Sequence, residues 1–426
     1  MKDNHSEFFF ILLVCMFWGN VTCYYGVVFI SKMFGLSSEM QSFVIPLAYS
    51  ILAVLSLGYW VRKIKPIDII LYILIICAYL SNYVFYPENE EALDIYVFVF
   101  PSVLLCYFIG LVMEIDKTQM LLYYISVVNL LCSSAYYFLF TQADDYSGGA
   151  IEMNENAHNM SAAYEILPSV IYIIWITFKN SSLKSILSFH YWLSVIFSFL
   201  GFFLIISMGT RGPLVCILFF VSMYLFFLSN NSHKFGTMVL LAILGLLIML
   251  NLESILLYMV DLLSSLNMSS RIFQIMIENS FMENSSSEER ISFMNILLNE
   301  MTTFYSFFGH GFAGSYRFIQ SYPHNIIYEV FFSFGYVVGG LLIILFVYLI
   351  IKSFHFCKDS TSKSFLLLLL SCGFVHLLMS NTFLQDSYFF LLIGYCVKST
   401  YRNINCLNRK KYGKSGSFAY LSQSQG

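Results

Sequence analysis

From Ile326 to Ile351 the chain reads IIYEVFFSFGYVVGGLLIILFVYLII, with one charged side chain, Glu329. A run of that length has one natural solvent, since about 20 apolar residues carry a helix across a bilayer. Comparable runs follow one another along the chain with little between them. The composition removes a soluble alternative: 58% of the residues are hydrophobic, 11% are charged and the mean hydropathy is +0.74, more apolar surface than a soluble core of this length buries. The expected fold is an all-α polytopic membrane protein, one bundle over 1–400 that includes an extracytoplasmic loop at 259–325. About 12 spans are expected, near 8–30, 40–61, 67–86, 95–113, 120–140, 163–178, 188–208, 212–229, 236–258, 326–351, 364–380 and 385–397. Residues 401–426 read as a basic, partly disordered cytoplasmic tail drawn to lipid headgroups.

Basic residues are divided unevenly between the loops. With the N-terminus in the cytoplasm, seventeen of the 22 lysines and arginines fall inside, and Lys32, Arg211, Arg271, Arg290 and Arg317 fall outside. The positive-inside rule then puts both termini in the cytoplasm. Lysine dominates the inner set, whereas four of the five outer cations are arginines. An arginine kept where topology disfavours positive charge, with a rigid fork of donors, points to an anionic ligand. Pairing with the outer carboxylates is the competing reading for Arg271 and Arg317.

Arg211 lies in MGTRGPL, between two spans that reverse direction within a few residues. Gly209 and Gly212 permit the turn, Thr210 can cap, and Pro213 suits a first helical turn. The free N–H groups of the following helix would add to the positive field beside Arg211. Within the long outer loop, Ser286 and Glu289 form a capping-box pattern, which puts Arg290 in a first turn and Ile291, Met294, Leu298 and Met301 on one face. Gly309, Gly311 and Gly314 suggest flexible backbone near a ligand. His324 and Asn325 follow Pro323 and open the next span, where a histidine beside arginines can act as a base. Glu165 and Glu329, near outer span ends, are alternative bases.

Several functions are disfavoured. The first outer loop holds only Glu39, which cannot build an acidic metal site, and adjacent Asp144 and Asp145 have no histidine near them, so neither a metal nor another cofactor is expected. Of the ten cysteines, eight fall in spans and two in cytoplasmic segments, so no disulfide or zinc framework is implied. The chain has no nucleic-acid module.

In order, the motifs are NENAHNMSAAYEILP over Asn154 to Pro168, TRGP, an arginine-bearing loop helix, a G-x-G turn, and PHN followed by nine residues and Gly335. Together they resemble the O-antigen ligase and O-antigen polymerase superfamily of bacterial envelope glycosyltransferases, over roughly residues 150–345. The resemblance implies a GT-C-like bundle in the bacterial cytoplasmic (inner) membrane, with a large extracytoplasmic loop carrying short helices. It implies a metal-independent transfer of glycan from a polyprenyl-diphosphate (undecaprenyl-diphosphate) carrier to an acceptor hydroxyl outside the membrane. Arg211 and Arg290 would hold the diphosphate and His324 would take the acceptor's proton. Arg317, Arg271, Asn325, Asn154, Asn156 and Glu329 would contact substrate. Expected partners are the lipid-linked oligosaccharide, membrane lipid and a chain-length regulator protein. Val338 standing where a small residue belongs, and Phe293 where a tryptophan belongs, favour polymerase over ligase. A flippase or transporter of the same lipid-linked sugar is the reading from another class.

Overall fold

The computed structural model describes residues 2–24, 26–27, 38–140, 159–180, 188–208, 211–228, 258, 261, 265, 285–301, 307–357 and 359–400. Every element among them is helical. Six helices are long and apolar enough to cross a membrane: Pro66–Phe85, Ile115–Ala135, Ala162–Lys179, Phe189–Ile206, Ile326–Phe356 and Ser360–Met379. The number rises to 8 when two bent pairs are each taken as one span. The architecture is all-α and compatible with a polytopic membrane protein. Of the further expected spans, those near 8–30 and 212–229 contain shorter apolar helices, His5–Trp18 and Gly212–Phe227. The stretch 385–397 lies in a helix over 387–400. The expected span 236–258 lies outside the described residues except for Tyr258, and the tail 401–426 lies wholly outside them.

The bends have readable causes. The straight span expected over 95–113 is instead Pro87–Tyr96 followed by Val99–Val112, at 58° to each other. Pro101 has no N–H to give the Val97 carbonyl, so the ladder fails where the chain turns. Val44–Leu55 meets Leu57–Lys63 at 60°, and there the Ser56 hydroxyl donates to the Ala53 carbonyl at 2.9 Å, a back-bond that bends helices.

The Asn159–Lys179 helix is central. Ile166, Leu167, Val170, Ile171, Tyr172 and Ile173 on it are buried, and it packs against the Ile115–Phe140, Phe189–Ser207, Arg211–Phe227 and Ser360–Leu369 helices. By contrast, Val337, Leu341, Ile344 and Ile351 beyond Gly335 are exposed, an apolar face suited to acyl chains. At one end of the bundle Lys63 and Lys117 both pair with Glu114, Lys117 also pairs with Glu7, Lys179 donates to Thr361, and Lys398 donates to the Met113 carbonyl. Lysine therefore gathers at the end away from Tyr86, Asn325 and Met379.

One polar group inside the bundle repairs a helix. Near Gly19 the first helix is interrupted, and the fully buried Asn129 inserts there. Its Nδ2 donates to the Trp18 carbonyl at 2.8 Å, and its Oδ1 accepts from the Thr22 backbone N–H at 3.2 Å. Those two backbone groups would be partners in a regular helix. Nδ2 also donates to the Ser169 hydroxyl at 2.9 Å, tying the first helix to the central one. Asn129→Leu is expected to lower stability by about 1–2 kcal/mol, the upper range for interhelical hydrogen bonds in membranes, read as a lower unfolding midpoint in detergent. An unchanged midpoint would show that the repair is dispensable.

Candidate functional site

The Ile326–Phe356 helix is two helices joined at Gly335, whose backbone (φ 71, ψ 174) is not helical. At this break the carbonyls of Phe332 and Ser333 accept from the backbone N–H groups of His310 (2.8 Å) and Gly311 (2.9 Å). The segment 307–314 thus closes over the break. Gly309 and Gly311 have φ of 76 and 79. A Cβ on Gly309 would meet the Ser333 carbonyl, and one on Gly335 the Phe307 carbonyl. These glycines serve backbone-on-backbone packing, which corrects the expected flexible ligand-side loop, because the His310 and Gly311 N–H groups are already committed.

The same segment is held from its other side. Asn82 Oδ1 accepts from Phe312 N at 2.9 Å, and Asn89 Nδ2 donates to the carbonyls of His310 at 2.7 Å and Phe312 at 3.3 Å. His310 is buried, stacked on Phe332 at 4.4 Å and edge-on to Phe318 at 5.2 Å. Burial pushes its pKa below the ordinary imidazole value; Glu300 and Glu88 oppose the shift and Arg317 adds to it. His310 is a packing group. Arg317 donates to Glu88 at 3.2 Å and lies over the Phe318 ring at 5.2 Å, so among the described residues it has the carboxylate partner that was its competing reading.

His324 closes this segment with a left-handed backbone (φ 53) and its ring 4.4 Å from that of Tyr322. A histidine in that conformation is uncommon, and such residues gather at functional sites. Asn325 caps the helix that follows, its Oδ1 accepting from Ile327 N at 3.0 Å. Glu329 is buried in the first turn. It accepts from the Thr382 hydroxyl and from Phe383 N, the latter at 3.3 Å. Both carboxylate oxygens therefore bind the turn 380–386, and Glu329 anchors that turn where substrate contact was expected.

That turn carries a pair the sequence did not announce. Asp386 Oδ2 lies 2.8 Å from His376 Nδ1, with the two side chains 2% and 11% exposed. Asp386 Oδ1 accepts from Phe389 N at 2.8 Å. The His376 ring stacks on Tyr164 at 4.0 Å, one turn into the central helix. A π-helical stretch, Leu370–Val375, directly precedes His376, a feature frequent at functional sites. Tyr164 in turn lies over Gly212: a Cβ there would collide with its hydroxyl and come within 3.3 Å of the Met379 Cβ. The helix beginning at Arg211 therefore starts against the Tyr164–His376–Asp386 cluster. Glu165, the residue after Tyr164 on the central helix, is exposed.

The remaining expected residues are placed as follows. Asn154, Asn156 and Arg271 lie outside the described residues, as do the side chains of Arg211 and Arg290. In backbone, Arg211 begins its helix and Arg290 lies inside Ser285–Glu300, beyond the first turn where it was expected. The predicted apolar face of that helix is also corrected. Leu297 and Met301 are buried with Ile319 and Phe332, and Phe293 packs beside them, while Ile291 and Leu298 are exposed. Docking onto Phe332 rotates the helix to the Phe293–Leu297–Met301 stripe. His376 and Asp386 were missed because one precedes and the other ends SNTFLQD, a short polar turn between two short expected spans. The usable signal was two ionisable side chains within the expected spans 364–380 and 385–397, and such residues are functional candidates by default. Comparison with protein-family models, curated proteins and solved structures finds no match to this chain.

Proposed function

We propose that the chain is a surface-polysaccharide polymerase of the O-antigen type. It transfers glycan from a polyprenyl-diphosphate carrier to a lipid-linked repeat unit on the outer side of the bacterial cytoplasmic membrane. The observation that carries this reading is that the TRGP helix start and the PHN helix start belong to the same end of the bundle, opposite Lys63, Lys117, Lys179 and Lys398. Lysine at one end supports a cytoplasmic assignment for that end, and the arginine-bearing motifs then face outward. Twelve spans, a GT-C-like arrangement and membership of the ligase and polymerase superfamily belong to the same proposal, which rests on the motif order.

The chemistry follows from the leaving group. As the glycosidic bond breaks, its electron pair passes to the diphosphate oxygen, and Arg211 and Arg290 stabilise the charge that develops there. Arg271, Asn154 and Asn156 contact substrate. The acceptor hydroxyl loses its proton to a histidine as it attacks the anomeric carbon, and His324, at the PHN helix start, is the residue nominated by the motif.

Full-length protein in nanodiscs, supplied with lipid-linked repeat units, is expected to yield a ladder of lengthened polyprenyl-linked chains. Product forming only when a lipid-core acceptor is added would make the protein a ligase. Movement of substrate across a vesicle bilayer with no new glycosidic bond would replace the transferase reading with a flippase.

A further inference from the structure

We infer that His376, oriented by Asp386, is the proton acceptor of this site, and that His324 contacts the substrate; the inference rests on the transferase reading above. A general base needs a partner that fixes its tautomer and its aim. Asp386 Oδ2 stands 2.8 Å from Nδ1, and a carboxylate only accepts, so Nδ1 carries the hydrogen and Nε2 presents a lone pair. Nε2 has no hydrogen-bond partner among the described residues. The ring is clamped by Tyr164 at 4.0 Å, and the carboxylate by Phe389 N at 2.8 Å. The turn that carries Asp386 is in turn pinned by Glu329 through Thr382 and Phe383.

Placement favours the same role. Gly212 lets the helix that begins with Arg211 start against Tyr164 and Met379, so the backbone of that helix start meets the ring that stacks on His376. The titratable groups around the pair include Tyr164 on the central helix, stacked on His376, and Cys216 on the next, within electrostatic reach of Asp386. Cys372 precedes His376 on its own helix, and Cys106 and Tyr388 lie within electrostatic reach of Asp386. Among the described residues only Asp386 hydrogen-bonds His376. In the transfer step the acceptor oxygen forms its bond to the anomeric carbon and the bond to the diphosphate oxygen breaks. The hydroxyl proton moves to His376 Nε2 and is later lost to water.

Turnover of lipid-linked repeat units by the reconstituted full chain, measured across pH, separates the two histidines. His376→Gln is expected to lower turnover by about 10²–10⁴-fold, the range for a positioned base, and to remove the fall in rate toward acid pH. Asp386→Asn offers Nδ1 a donor in place of an acceptor and reverses the tautomer, so it should act nearly as strongly through this positioning role. His324→Gln should raise KM and keep the acid fall. The inference is overturned when the acid fall persists in His376→Gln and vanishes in His324→Gln. Nitrogen-15 NMR of labelled histidine in the wild-type protein, which needs neither substrate nor a variant that folds, is expected to show His376 with hydrogen on Nδ1 and none on Nε2. The opposite tautomer overturns the inference. A wild-type protein that forms no polymer defeats the transferase reading instead, while the NMR signature still tells whether the pair is preset to accept a proton.

Discussion

Gly335→Ala is expected to dismantle the end of the bundle around residues 307–335 without altering one charged group. The native backbone at this position (φ 71, ψ 174) belongs to a region that only glycine occupies at low cost, and forcing an L-residue into it costs about 1–3 kcal/mol before any contact is counted. The added methyl group would also meet the Phe307 carbonyl and the Phe308 N–H. Relief of that clash means lifting 307–314 off the break, which strips Phe332 and Ser333 of the donors His310 and Gly311. Gly340→Ala in the same helix is the control, because its Cβ meets only the Phe331 ring, at 3.7 Å. The unfolding midpoint and the yield of membrane-inserted protein should fall sharply for the first variant and hold for the second. Equal midpoints would mean that the break is incidental.

Arg211→Ala is expected to abolish most transfer while sparing the fold. Arg211 is the first residue of its helix, where the unpaired N–H groups of the first turn add to its positive field. Removal of one preorganised donor to developing negative charge typically costs about 10²–10³-fold in turnover. Arg211→Lys keeps the charge and loses the bidentate fork, so a partial loss is expected. Initial rates with lipid-linked repeat units, set beside unfolding midpoints, check both. A rate for the alanine variant within about threefold of wild type would remove Arg211 from the diphosphate site.

Hydropathy made the long helices legible, since bilayer thickness sets their length whatever they pack against. The bend before Pro101 was missed within the span expected over 95–113, although the missing N–H that causes it is a property of the residue itself. The break at Gly335 was not legible: it lies within an apolar run, and hydropathy averages over a single residue whose backbone angles decide the geometry. The motif reading named Arg211, His324, Asn325 and Gly335, and the structure sets helix starts at Arg211 and Ile326 and the break at Gly335. It did not find what holds them. Glu329 anchors the 380–386 turn, a contact 53 residues apart in the chain, and Asp386 meets His376 only because that turn reverses the chain. Pairings of this kind depend on where the turn delivers a side chain, which no local periodicity encodes. The face of the Ser285–Glu300 helix failed for a related reason: two stripes are apolar, and Phe332 selects one of them.

The backbone clamp between residues 307–314 and the broken helix also bears on the order in which the protein is made. The clamp's donors emerge from the ribosome before its acceptors, so a nascent chain halted short of Phe332 carries the 307–314 segment with no seat to receive it. The rim can therefore close only after the helix beyond it has been threaded into the bilayer and has bent, which makes this end of the molecule a late product of biogenesis.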